Sequence, residues 1–181
     1  MIQAIGSALT GLSAAQGRMD ALANDTANVD TTGFKAAGRE SVQGGLIETG
    51  EPLDLAIEGD GAFQLAGGGQ TRDGAFQLSA SAQIVTSSGQ ALAPPVQLPP
   101  GADASAVEIT PDGSVIVGGA QVGQIQLTGR GVIRQGALEA SNVDLADTTV
   151  GQIETRTSYA AAVQALHVQD EMWQSLMELR S

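Results

Sequence analysis

The stretch TANVDTTGFK, residues 26–35, holds the tripeptide Asn28-Val29-Asp30, and the same tripeptide returns as Asn142-Val143-Asp144 in LEASNVDLADTT, residues 138–149. Asn and Asp side chains bond nearby backbone groups and so compete with helical hydrogen bonding. With Thr31, Thr32 and Gly33 behind it, the first copy reads as the end of a helix, near Asn28. Phe34 then supplies an apolar anchor after the break. The second copy stands at the inner edge of another apolar-periodic segment. The chain therefore reads as helix, middle region, helix, with a marked exit and a marked return.

On the N-terminal side, Ile2, Ile5, Leu9, Leu12, Met19 and Thr26 fall on a three-four spacing, and Gln16 and Ala23 fill the remaining seam positions. This is a heptad-like stripe and not a strand alternation; Leu22 is a further packing candidate beside it. Gly6, Gly11 and Gly17 each cost the helix about 1 kcal/mol relative to Ala, so it needs neighbours. The last segment, from about Asp147 to Ser181, carries two stripes. One reads Tyr159, Val163, Leu166, Asp170, Trp173, Met177. The other reads Ala161, Ala165, Val168, Met172, Leu176, Leu179. A surface helix of a monomer needs one apolar face; two imply burial on more than one side. Ser141 and Asp144 are spaced like a capping box.

The middle reads as β. Leu53, Leu55 and Ile57 alternate with Asp54, Ala56 and Glu58. The hexapeptide DGAFQL occurs at 60–65 and again at 73–78, each an Asp-Gly turn leading into a strand. Residues 84–86 form another strand. Residues 107–109 and 115–117 flank TPDGS as the clearest hairpin, and Val122, Ile125 and Leu127 read as one more short strand. ALAPPVQLPPG, residues 91–101, is a Pro-punctuated connection or edge. The expected fold class is α+β: a discontinuous, coiled-coil-like helical domain of residues 1–35 and 142–181, with an inserted small all-β domain of residues 36–141.

Composition narrows the function. The 181 residues include 24 Gly, no Cys and only 3% aromatics, so the core is aliphatic and has no disulfide framework or thiolate chemistry. A net charge of −12 argues against nucleic-acid binding, which requires a basic face. Six acids between Glu40 and Asp60 face no base within that run and read as a solvated surface. The N-terminus lacks the basic region and continuous apolar run of a secretory signal, and no apolar run is long enough to span a bilayer.

Catalytic and ligand chemistry find no foothold. His167 is the sole His and, without Cys, cannot build a usual zinc site. No Gly-x-Ser-x-Gly elbow occurs. GDGAF lacks the third glycine of a dinucleotide fingerprint, and the glycines at 67–69 have no Lys-Ser/Thr behind them. Nothing selects a carboxylate pair from the 20 acids. The expectation is a non-enzyme with no cofactor and no metal.

Here the residues support a resemblance. Ala23, Asn24, Ala27, Asn28, Thr31, Gly33, Phe34 and Lys35 match the N-terminal signature of the bacterial flagellar rod and hook family. TGEPLDLAIEGDGAFQL and TRDGAFQL resemble its middle β domain, and GALEASNVDLADTT resembles the entry to its C-terminal helix. The match runs collinearly over nearly the whole chain and most resembles the distal-rod branch. The sequence departs from the family pattern at Thr26, where Leu is common, and in its short stretches after Lys35 and after Leu127.

The resemblance implies a structural subunit that polymerises helically into a hollow, torque-transmitting rod lining an export channel. The paired terminal helices would form the inner layer, with the β domain outside. Implied partners are other copies of itself, neighbouring rod and hook subunits, the flagellar type III export apparatus, and ring or bushing proteins, with no nucleic acid and no membrane insertion. The implied location is the periplasm-spanning basal-body rod, reached without a cleaved signal peptide. Ile2, Ile5, Leu9, Leu12, Met19 and Leu22 would pack with Tyr159, Val163, Leu166, Trp173, Leu176 and Leu179 within and between copies. Asn24, Asn28, Thr31, Gly33, Phe34, Lys35 and Asn142 would form the junction motif. On that reading Gly33→Val disturbs assembly more than folding; the plainer reading of Gly33 is a helix terminator, with Phe34 as a core residue. The alternatives are a proximal-rod or hook subunit, or a secreted monomeric β-domain binding module.

Overall fold

The computed structural model describes residues 2–178; the side chains of residues 2–5 and of Leu176 lie outside the description. The packing roles expected of Ile2, Ile5, Leu176 and Leu179 therefore fall outside the described groups. The chain forms two compact units, residues 1–27 with 144–181, and residues 28–143.

The first unit is a pair of helices, α1 (Ile2–Ala27) and α2 (Leu145–Glu178). They run antiparallel: Gln152 Nε2 donates to Thr26 Oγ1 at 3.2 Å, while residues 162–172 lie beside residues 7–11. The α1 seam is Ala8, Leu12, Ala15, Met19, Leu22 and Asp25, all half-buried or buried. Gln16 and Ala23, expected in the seam, are exposed. Small residues let the backbones approach. Ala15, Thr148 and Thr155 are buried, and a Cβ added at Gly151 would lie 3.2 Å from Leu22 Cδ2. Buried threonine is tolerated because its hydroxyl bonds the carbonyl four residues back: Thr148 to Asp144 and Thr155 to Gly151, both at 2.7 Å.

Asp144 caps α2 itself, its Oδ1 accepting from the Ala146 and Asp147 amides at 2.8 and 3.3 Å. An N-cap carboxylate satisfies otherwise orphaned amides. The expected Ser141–Asp144 capping box is not formed; Ser141 Oγ accepts from Val143 N instead.

The second unit has twelve short strands in five small sheets: β1 (Leu46–Glu48), β2 (Leu55–Glu58), β3 (Gly61–Gln64), β4 (Gln70–Thr71), β5 (Phe76–Leu78), β6 (Ile84–Thr86), β7 (Val107–Ile109), β8 (Ser114–Val117), β9 (Ala120–Gln124), β10 (Leu127–Gly129), β11 (Val132–Gln135) and β12 (Ala137–Glu139). Its topology is nested. β1 pairs β12, β2 pairs β11 and β3 pairs β10, all antiparallel, so the returning chain retraces the outgoing one. The local pairs β5–β6 and β7–β8–β9 lie within this frame.

The TPDGS hairpin forms with Val107 opposite Val117 and Ile109 opposite Val115. The single strand expected over 122–127 is two, β9 and β10, with Ile125 buried between them. β2 is buried at Leu55, Ala56 and Ile57 alike, so both its faces are covered and the expected in-out alternation does not hold. The DGAFQL repeat builds the core: Phe63 and Phe76, one from each copy, meet edge to face with centroids 5.0 Å apart. Around them pack Leu55, Ile57, Ile84, Leu92, Val96, Val115 and Ile133.

Candidate assembly surface and junction clasp

The first expected site is the helix pair. In the single chain it closes only in part. Leu12, Met19, Leu22, Val163 and Leu166 are half-buried. Leu9, Tyr159 and Trp173 remain 54%, 39% and 45% exposed, as do Val150, Ile153, Val168, Met172 and Met177. Ser7, Ala8 and Gly11 face Ala162, Ala165, Val168 and Met172 across a shallow, mainly apolar groove of about 500 Å³. His167 lies on the exposed surface of α2.

The second site is the junction motif, and it belongs to the β unit. The boundary between units lies at 27/28, not at the expected 35/36. Gly33 sits beyond the helix end, so it does not terminate α1. Its φ is +66°, and a Cβ there would lie 2.3 Å from the Arg72 carbonyl oxygen. That makes Gly33 a requirement of the β unit's own fold. Its amide donates to the Glu139 carbonyl at 2.7 Å, and the Asn142 amide donates to the Phe34 carbonyl at 3.2 Å. Phe34 is half-buried and lies outside the apolar core cluster.

The motif closes on Glu139, whose side chain is 1% exposed. Lys35 Nζ and the Gly44 amide both donate to Oε1, the latter at 2.9 Å, and Arg72 Nε donates to Oε2 at 2.8 Å. Burial pushes the Glu139 carboxyl up, but the hydrogen bonds from Lys35, Gly44 and Arg72, with the Arg72 charge, outweigh it and hold it below the usual carboxylate value. Arg72 spends its remaining donors on the carbonyls of Ile57, Gly59 and Gly61, and Lys35 also reaches the Val42 carbonyl at 2.8 Å.

Asn142 completes the closure. Its Oδ1 accepts from Ala36 N at 2.7 Å, and its Nδ2 donates to the Arg39 and Val42 carbonyls at 2.8 Å each. Asn28 acts locally, accepting from the Thr31 hydroxyl and amide. Asn24 lies on α1 in the other unit. The two copies of Asn-Val-Asp thus do different work. The first makes a turn; the second gives a tether in Asn142 and a helix cap in Asp144.

Sequence reasoning did not find Glu139, Arg72 or Gly44. Glu139 stood inside a quoted motif, but a lone acid gives no sign of burial until its two cations, 67 and 104 residues away, are placed beside it. The acidic run has a similar hidden partner: Arg134 on β11 reaches Glu48 at 2.8 Å and Glu58 at 3.0 Å.

Chemically, the clasp is a tie. Its cationic donors are engaged by protein acceptors, and no buried side-chain nitrogen or oxygen among the described residues lacks a partner. Among those residues, no cluster of His, Cys, Asp and Glu is arranged to hold a metal ion, and no helix is long and apolar enough to cross a membrane.

Comparison with known proteins gives three family matches in order along the chain. Residues 5–35 match the family model "Flagella basal body rod protein". Residues 56–117 match "Flagellar hook protein FlgE/F/G D1 domain", and residues 134–179 match "Flagellar basal body rod FlgEFG protein C-terminal". Flagellar basal-body rod protein FlgG of Buchnera aphidicola (subsp. Acyrthosiphon pisum) is 29% identical over 262 residues, covering 99% of this chain and 100% of the relative. FlgG of Bacillus subtilis is 24% identical over 265 residues with the same coverage. FlgF of Mesorhizobium japonicum is 31% identical over 124 residues, covering 51% of this chain and 52% of the relative. An alignment of 262 positions to a chain of 181 residues leaves at least 81 positions opposite gaps, so this chain is much the shorter. With three models in order along one chain, over most of both helices and many of the strands between them, the protein belongs to the flagellar basal-body rod and hook family, as a structural subunit of the rod.

Proposed function

We propose that copies of this chain polymerise helically into a hollow shaft, packing through the terminal helix pair and carrying the β unit outside it. The observation that carries this reading is the incompletely covered helix pair. One seam is closed by small residues, while Leu9, Val150, Ile153, Val168, Met172 and Trp173 stay exposed. Apolar area left in water is worth roughly 25 cal/mol per Å² once covered, and a repeated head-to-tail contact that does not close on itself gives a filament. Such a shaft transmits torque by rigid packing and leaves a channel through which later subunits pass. Export through the flagellar type III apparatus, without a cleaved leader, belongs to the same reading. So do contacts with hook subunits and with ring or bushing proteins. The coiled-coil character of the helix pair is also part of this proposal.

The whole-chain matches to FlgG proteins favour the distal position, while the FlgF match over half the chain keeps a proximal position as the second reading. Deleting the gene in its host and imaging basal bodies tests the reading. Rods that stop short, without hooks, support it; full-length rods and normal swimming contradict it.

A further inference from the structure

We infer that the segment from Gly33 to Gly45 is a strap held shut by a charge clasp, Lys35–Glu139–Arg72, and that it opens as a unit separately from the β core. The inference concerns the β unit alone and stands whether or not copies assemble.

Three observations converge. First, no residue from 28 to 52 belongs to the apolar core cluster, which begins at Leu53. The strap is therefore held by polar ties, and segments with few apolar contacts open at lower cost than the body of a fold. Second, two side chains of the returning chain take several of those ties, beside the backbone bonds of Gly33, Phe34 and Gly45 and the bonds of Gln43 to Ile57 and Gly59. Glu139 takes Lys35 and the Gly44 amide, and Asn142 takes the Ala36 amide and the carbonyls of Arg39 and Val42. Third, the backbone is threaded too closely for slack. A Cβ at Gly44 would lie 1.9 Å from the Ala140 carbonyl oxygen, and Gly33 has its counterpart at Arg72. The strap thus has one seated position, and the Lys35–Glu139 ion pair is a charged tie among the hydrogen bonds that hold it there.

The charged groups that reach the Glu139 carboxylate are Lys35 from the strap and Arg72 from the segment after β4. Both are themselves mostly buried, with side chains 13% and 14% exposed. Removing one member of such a group leaves the others poorly solvated, which is why loss of one partner costs far more than a surface pair does. The consequence is positional. The chain enters the β unit at Asn28, seven residues before Lys35, and leaves it at Val143, next to Asn142, so the clasp ties the first part of the unit to its last.

Amide hydrogen exchange on the full-length chain at neutral pH tests this. In Glu139→Gln and in Lys35→Met, the amides of Gly33, Ala36, Gly44 and Asn142 should exchange at least about tenfold faster, tenfold being the effect of about 1.4 kcal/mol. Amides of the β7–β8 ladder should keep their wild-type protection, and Lys35→Arg, which retains the charge, should stay within about twofold of wild type. Unchanged exchange at the strap overturns the inference. So does equal acceleration across β7–β8, a Glu139→Gln chain that fails to fold, or a Lys35→Arg chain that opens as readily as Lys35→Met.

Discussion

At the scale of single residues, Glu139 and Gly33 carry the most consequence. The Glu139 carboxyl is held below its ordinary value in the fold. Its contribution is therefore complete above the ordinary carboxylate range, about pH 4–4.5, and is lost as pH falls through its lowered native value. The protection factor of the Gly44 amide, the slowing of its exchange relative to the unfolded chain at the same pH, should fall on acidification in the wild type, while in Glu139→Gln it should already be low at pH 7 and fall little further from this site. An acid response of the same size in both proteins would assign the effect to other carboxylates. Gly33→Val puts a side chain at φ +66° against the Arg72 carbonyl. We expect a loss of about 2–4 kcal/mol in the β unit, read by denaturant unfolding. The sequence marked Gly33, Phe34 and Lys35 as special but not why. A positive φ and a 2.3 Å approach to a carbonyl 39 positions along the chain are properties of the folded pairing, invisible to local pattern.

At the scale of elements, the two helices, the local hairpin and the strands β2, β3, β5 and β6 are legible in the sequence, and β1, β11 and β12 are not. α1 ends at Ala27 because Asn28 and Asp30 follow it, and β7–β8 forms because Pro-Asp-Gly turns the chain. β1, β11 and β12 went unseen because their partners lie at the other end of the insert, and short segments such as LIE and ALE carry no periodicity of their own. The α1 seam was half legible. Spacing gives Leu12 and Met19, with Leu22 a candidate beside them, but close approach selects small residues, so Ala15 lies inside and Leu9 outside.

Two predictions belong at this scale. Asp144→Ala should destabilise the helix pair by about 1 kcal/mol through loss of the cap, measured by thermal unfolding followed at 222 nm. Gly17 meets nothing within 4 Å in the single chain, so Gly17→Ala should stabilise α1 by up to about 1 kcal/mol. If motility then falls while monomer stability rises, the glycine is kept for a neighbouring copy.

At the scale of the whole molecule, the exposed apolar residues of α2 divide folding from assembly. Trp173 is 45% exposed. Trp173→Ala should change monomer stability by less than about 0.5 kcal/mol, as surface substitutions do, yet impair rod formation in the host. Full motility in that strain would remove Trp173 from the packing surface. In 181 residues this chain builds both helices and the nested β frame. We propose that assembly rests on the helices, with the clasped frame carried beside them. Electron cryo-microscopy of basal bodies isolated from the host, with this chain built into the rod density, tests that most directly. The account predicts α1 and α2 of successive copies lining the central channel, with Leu9, Val168, Met172 and Trp173 covered by neighbouring subunits and the β unit outside. A rod whose channel wall is formed by other chains, or one in which these side chains still face solvent, would contradict it.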